Sequence, residues 1–545
     1  MSPIKKAFLV FRTVRHLKAK QIIYRLYYAF LYHFLKSKRI WFDTFIPQEG
    51  HIFNWQMGIE SRQQWQKDNQ FVFLNKPVDF GDSIDWLDAK NGDLWLFTLH
   101  YFDFLNQNNL PQGKGFALIN DYLNRATKSP IGLDPFVVSL KIMNWTKFYS
   151  RHKIKATPQS DGTLYAQTKI LCRFLEYELL GNHLLENGFA LFFAAHYFQN
   201  KDFWQTAYKI LTEELNEQIL NDGAHFELCP MYHKIMLFRT LDCYNLLKNN
   251  DLQIKNTPSV FDTQNVVLEK LLADKAAKML GWLENMTYAD GSTPNFGDST
   301  EGIAPTSAEL FDYAKRLNIK PLPHPLNDSG FRKLKNQSFE LTAKVGKIGP
   351  DYIPGHAHAD SLSFELRIKN QPILIDMGIS TYETNAQRQL ERSTSSHNTV
   401  EIDGKNSSEV WGSFRVGNRA NSKILKDTPT HLIAQHDGYK NLNINHLREF
   451  QLEENTIKIT DKTNNSTTSK AYFHASPTLS LQLENNSVRF KNGQIDFFIN
   501  EKDNALIEKV ELAAYSLPPQ YNTFLTAQKV VVTFKGTLQT RISII

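Results

Sequence analysis

At 545 residues the chain is too long for one ordinary hydrophobic core, so two large domains are expected. Its hydrophobic share of 42% and charged share of 22% are those of a folded globular protein and exclude a largely disordered one. The net charge of +6 is localised: residues 1–40 hold ten Lys or Arg and no acid, and the remainder carries 52 basic against 56 acidic residues. A slightly acidic body with no Gly-rich phosphate loop excludes nucleic acid as the expected partner.

The first element predicted is a basic amphipathic arm within residues 1–60, where Phe8, Leu9, Phe11, Val14, Ile22, Ile23, Leu26 and Phe30 recur at roughly helical spacing among the cations. Such an arm either lies on an anionic membrane surface or packs on the body with a solvated basic face. The apolar run Ala7–Val10 is too short for the core of a signal peptide, and no segment has the length of a spanning helix. A cytoplasmic location with peripheral membrane contact through residues 1–40 is therefore expected, with a periplasmic one second.

A helical domain over 61–325 comes next. Ile170, Leu171, Phe174, Leu175 and Leu179 mark a helix within 166–180, and Asn182 is placed to cap the following one, which carries Leu185, Phe189, Phe192, Phe193 and Tyr197. Further helices are predicted at 201–220, 232–249 and 265–285. Antiparallel helix pairs joined by short polar loops suggest an (α/α) toroid or a solenoid. The proline-rich 319–329 reads as a linker, after which the period becomes two, as in Phe364–Ile368, Val400–Ile402, Thr456–Thr460 and Val530–Phe534. Short strands without intervening helices predict an antiparallel β-sandwich over 330–545. Cys172, Cys229 and Cys243 form no CxxC unit and are read as small buried hydrophobes.

Four clusters carry chemistry. Gly181-Asn182-His183 puts an amide and an imidazole at a helix start, where an anion is favoured, although a plain cap and a surface histidine account for the same residues. The segment Asp222–His233 leads a polar loop into a helix beginning near Tyr232, whose hydroxyl suits acid–base work. In Gly355-His356-Ala357-His358-Ala359-Asp360, the two histidines share a face if the segment is a strand. Asp376, at the end of an apolar strand, and His397 would complete with His358 a set of two nitrogens and one oxygen, suited to a metal.

With these segments, together with Leu133-Asp134-Pro135 through Asn144-Trp145 and Arg392–Thr399, the chain resembles the heparinase II/III superfamily of polysaccharide lyases over about residues 90–420. The resemblance implies an incomplete (α/α) toroid followed by an antiparallel β-sandwich, with the active site in the cleft between them. It implies that Asn182 and His183 neutralise a uronate carboxylate, that Tyr232 and His356 form the acid–base pair, and that His358, Asp376 and His397 hold one structural zinc or similar ion. Glu186, Tyr382 and Arg392 are implied as substrate contacts, and no organic cofactor is expected. The partner implied is an acidic polysaccharide, cleaved by β-elimination. The basic arm is more like members tied to bacterial surface-polysaccharide processing than like secreted catabolic ones. A uronate C5-epimerase would use the same residues, and a glycan-binding or assembly protein would not need the Tyr/His pair. A hydrolase would need a carboxylate pair, for which Asp290, Asp298 and Glu227 are the available acids.

Overall fold

The structure is a computed structural model that describes residues 3–35, 48–127, 129, 131–250, 258–463, 467–499 and 505–545. Helices dominate as far as Arg316, and antiparallel strands take over from Phe331. The helices start on local signals. Asp134 accepts from the amides of Phe136 and Val137 with Pro135 in the first turn, Thr157 accepts from Ser160 ahead of Pro158, and Thr306 and Glu309 form a reciprocal capping box.

The helix expected within 166–180 runs instead from Pro158 to Arg173, and an irregular turn follows it. The next helix, Gly181–Phe198, is buried along nearly its whole length and packs against Pro135–His152 and Lys201–Gln218. Asn182 sits inside its first turn, one residue beyond Gly181, so it is not the cap; Leu180 is. The helices expected around 201–220, 232–249 and 265–285 are present as Lys201–Gln218, Pro230–Asn249 and Pro258–Met286. A small antiparallel meander, Gln64–Trp65, Gln70–Phe73 and Lys76–Asp79, also belongs to the helical half, with Phe71 and Phe73 set against Phe104 and Trp95.

The sandwich has two layers. One is an eight-stranded sheet running from Ser422–Thr428 at one edge through Ile444–Leu452 and Thr537–Ile544 to Gln482–Glu484 at the other. The facing layer joins two four-stranded sheets, one containing Phe364–Ile368 and the other Ser469–His474, through a bridge between Leu374 and Ala475. Phe364 meets Phe450 and Phe473 meets Phe497 across the layers, each pair with ring centroids 5.5 Å apart. Phe364–Ile368 is buried on both faces. Its outward Glu365 accepts from the Tyr288 hydroxyl at 3.1 Å and the Asn295 amide at 3.0 Å, so the helical half covers the polar side of the strand.

All three cysteines are unpaired, with Cys229 and Cys243 buried and Cys172 half-buried. Of the basic arm, Lys36, Lys38 and Arg39 lie outside the described residues. Among the described residues no helix is long and apolar enough to cross a membrane.

Candidate active site

A cavity of about 210 Å³ opens in the helical half and reaches residues of the sandwich. Asn182, Glu186, Tyr232, Arg239, Tyr382 and Tyr521 are on its wall. Three of the segments that build the site pass through leucines with positive φ, a conformation costly for a branched side chain. Leu180 (φ 63°) precedes the Asn182 helix, Leu228 (φ 55°) follows Glu227, and Leu362 (φ 61°) follows the HAHAD segment. Gly181 is also at positive φ, and a Cβ there would lie 3.1 Å from Ile353, so the helix start and the loop leading to His356 approach closely.

Asn182 is 2% exposed, and its Oδ1 is buried without a hydrogen-bond partner. The side chain lines the cavity, and its amide oxygen is not used by the fold. The His183 ring lies tilted against Phe136, their centroids 4.8 Å apart, and Phe136 is itself part of the cavity wall. Its Nδ1 is 2.8 Å from Glu176, whose second oxygen accepts from Asn187 Nδ2 at 2.8 Å. Burial alone would lower the imidazole pKa, but the Glu176 carboxylate outweighs it and raises the pKa above the usual histidine value. His183 itself is not on the cavity wall; Phe136 stands between. Glu186 pairs with Arg239 at 3.3 Å and keeps Oε2 buried and unpartnered. Burial raises the Glu186 pKa, with Arg239 opposing.

The two residues expected as the acid–base pair lie against one another. The Tyr232 ring lies 3.6 Å from the His356 ring at an interplanar angle of 18°, and its hydroxyl is 3.0 Å from that of Tyr382. His356 Nδ1 is 2.6 Å from Glu227 of the helical half, which fixes the ring and leaves Nε2 as the free nitrogen. Burial alone would raise the Glu227 pKa, but the His356 imidazole brings it below the usual carboxylate value. Burial pushes the Tyr232 hydroxyl well above the usual tyrosine range; the Tyr382 hydrogen bond opposes this, and the Asp298 and Glu227 carboxylates add to it. At rest Tyr232 is therefore a phenol.

Two expectations need correction. The HAHAD segment is a turn rather than a strand, so His356 and His358 do not share a face. His356 lies against Tyr232, and His358 turns inward to Asp298, 2.7 Å from its Nε2. Arg392, expected at the substrate, is buried with its guanidinium held by the carbonyls of Ala357, Gly412 and Arg415, and it does not reach the cavity wall. The acids read as a hydrolase option are likewise engaged: Glu227 with His356, Asp298 with His358 and Arg388, and Asp290 with Arg367.

The expected metal ligands are brought near one another without forming a complete set. The His358 and His397 rings are 5.2 Å apart, and His358 Nδ1 and His397 Nε2 are each buried without a partner, which suits metal donors. Asp376, however, has both oxygens 2.9 Å from His397 Nδ1. Among the described residues no group of three or more His, Cys, Asp or Glu side chains is placed to hold an ion.

Several wall residues have no strong signal of their own in the sequence. Arg239 and Tyr521 lie in segments with ordinary helical and loop patterns, and Glu176 acts at one remove through His183. Asn144, also on the wall, was legible only as part of the Leu133–Trp145 resemblance; its Nδ2 donates to the Tyr101 carbonyl at 2.9 Å.

Comparison with known proteins fits this architecture. A family model described as heparinase II/III N-terminus matches residues 139–317, and one described as heparinase II/III-like, C-terminal matches residues 318–545. The chain belongs to the heparinase II/III-like superfamily. Among relatives, a heparin-sulfate lyase of Bacteroides stercoris is 26% identical over 49% of this chain and 41% of its own length. A heparin-sulfate lyase of Pedobacter heparinus is 23% identical over 53% of this chain and 48% of its own. The match thus spans less than half the length of these relatives. A crystal structure of heparinase III superposes with a TM-score of 0.65 at 19% identity, covering 86% of this chain and 80% of the other. A second heparinase III gives a TM-score of 0.60 at 17% identity, covering 86% and 81%. The shared fold is a helical toroid followed by an antiparallel β-sandwich.

Proposed function

We propose that the protein is a polysaccharide lyase that cleaves a uronic-acid-containing glycan by β-elimination. The observation that carries this reading is the stacking of Tyr232 on His356 at 3.6 Å beside a cavity whose wall holds Asn182, its amide oxygen unpartnered. The names of the relatives, heparin-sulfate lyases, support the same class.

The chemistry follows from what such a substrate needs. The C5 proton of a uronate is only weakly acidic, because its removal builds charge next to a carboxylate that is already negative. Asn182 and His183, whose imidazole pKa is raised by Glu176, are the groups that bind that carboxylate and offset its charge, so that the charge spreads into it. His356 Nε2, with Nδ1 held by Glu227, takes the C5 proton. The Tyr232 phenol gives its proton to O4 as the C4–O4 bond breaks and the C4–C5 double bond forms. The products are a glycan whose new reducing end carries the departed, protonated oxygen on its anomeric carbon, and one with a 4,5-unsaturated uronate at its non-reducing end. The Tyr232–Tyr382 hydrogen bond of 3.0 Å offers a route for returning a proton to Tyr232.

The test is ultraviolet absorbance of the unsaturated uronate during incubation with a panel of uronic-acid polysaccharides, bacterial surface glycans included. The expected result is a rise on at least one substrate that Tyr232→Phe reduces by about 10²–10⁴-fold with the fold intact. Exchange of the C5 proton without any absorbance would replace this reading with an epimerase.

A further inference from the structure

A hairpin of the sandwich half, Val410–Trp411 paired with Arg415–Val416, turns through Gly412, Ser413 and Phe414. Two buried arginines hold its tip from within. Arg388 donates to the Ser413 carbonyl at 3.1 and 2.8 Å. Arg392 donates to the carbonyls of Gly412 at 3.1 Å and Arg415 at 3.3 Å. From outside, the helix Pro3–Val14 clamps the base of the hairpin. Arg12 forks onto Glu409 at 2.8 and 2.6 Å, and Trp411 Nε1 donates to Thr13 Oγ1 at 3.0 Å. Within this rigid mount the tip side chain, Phe414, stays 43% exposed.

An isolated exposed Phe needs no explanation, but this one adjoins the residues of the site. The Phe414 ring centroid is 5.2 Å from that of Tyr382, which is on the cavity wall, and 6.3 Å from that of His356. The Arg388 guanidinium backs both aromatic side chains, 5.1 Å from the Tyr382 centroid and 5.5 Å from that of Phe414. Tyr232, Tyr382 and Phe414 thus form a row that starts at the cavity and ends at an exposed ring. The chemistry of the ring selects its occupant. A pyranose has a face made of C–H bonds, which leaves water favourably against a flat aromatic surface while its hydroxyls stay solvated at the edge. Phe suits that contact because it has no polar group of its own to satisfy. A ring already fixed by its backbone also loses little conformational freedom when a sugar lies on it.

We propose that Phe414 is a sugar-stacking platform that holds the ring next to the one seated in the cavity, on the sandwich side of the Tyr232–His356 pair. The inference rests on the reading of the cavity as a glycan site. It gives the buried Arg388 and Arg392 the task of positioning that platform.

Affinity electrophoresis of the full chain tests it, in gels containing heparan sulfate, hyaluronan, alginate or polygalacturonate. Tyr232→Phe is the background, so that the glycan survives. At least one glycan is expected to retard this chain. Adding Phe414→Ala should weaken that retardation about fivefold or more, and Phe414→Trp should restore it. In the chain with Tyr232 intact, Phe414→Ala should raise KM about tenfold and leave kcat within about twofold. An unchanged melting temperature confirms that the loss is not unfolding. Retardation by none of the four glycans would overturn the proposal. So would retardation and KM that ignore Phe414→Ala, a loss that Phe414→Trp does not restore, or a fall in kcat at constant KM. Retardation that depends on Phe414 without any ultraviolet absorbance would sustain the platform and overturn the lyase reading alone.

Discussion

His356 and His358 stand two residues apart and belong to different regions of the molecule. His356 lies behind Tyr232 of the cavity wall and is held by Glu227; His358 is fully buried and is held by Asp298. Both carboxylates come from the helical half, so each histidine is a point where the two domains are joined. What differs is the rest of the surroundings. Asp298 also takes a two-pronged contact from Arg388 at 2.5 and 2.7 Å, and its amide donates to the His356 carbonyl at 3.1 Å. Among the described residues no second cation hydrogen-bonds Glu227, and its Oε1 is buried without a partner. An unpartnered buried oxygen costs about 1–3 kcal/mol, which a fold sustains where a ligand completes the set. The inner carboxylate is thus shared between a histidine and an arginine, and the outer one is held by a single histidine beside the residues of the proposed site.

Removing each carboxylate tests that division. Asp298→Ala leaves Arg388 and His358 buried without their anion and is expected to destabilise the protein by about 3–5 kcal/mol, read as a fall in the denaturant midpoint. Burial alone would raise the Asp298 pKa, yet Arg388 and His358 hold it far below the usual carboxylate range, so the ion pair persists through any ordinary pH. Glu227→Gln keeps the volume and a hydrogen bond to His356 but removes the charge that orients the ring as a base. A loss of about 10–100-fold in kcat is expected, with KM and the melting temperature little changed. Equal stability losses in the two variants would erase the distinction between the junctions.

Much of this arrangement can be read from the sequence, for identifiable reasons. Asn182, Glu186, Tyr232 and Tyr382 reach one cavity wall because helix starts and ordered motifs are local features that a sequence displays. The toroid and the sandwich show because the apolar period changes from helical to two. What does not show depends on contacts distant in sequence or on backbone strain. Glu227 and Asp298 look like spare acids until His356 and His358, 129 and 60 residues away, arrive beside them. The face of a histidine two residues from another depends on whether the segment is a strand, and the turn that separates them is followed by Leu362 in a conformation no leucine advertises. Arg392 has the composition of a substrate contact and is instead held by carbonyls of neighbouring loops.

A third buried carboxylate sharpens the comparison by having neither histidine nor arginine. Glu214 is 4% exposed, and its hydrogen-bond partner is the Gln218 amide at 2.7 Å. Burial raises its pKa to about 7 from an ordinary 4.5. The sign of its effect on stability is thus opposite to that of Asp298. Between those two values the folded chain binds more protons than the unfolded one, so stability declines as pH rises through the window and levels off above it. Glu214→Gln removes the ionisable group while keeping the shape. Relative to the parent, the variant is expected to gain on the order of 2 kcal/mol between about pH 4 and pH 8, measured as the difference between their denaturant curves. A parallel pair of curves would mean that Glu214 ionises in the fold without penalty, with Lys18 and Lys20 of the arm supplying enough positive charge to offset its burial.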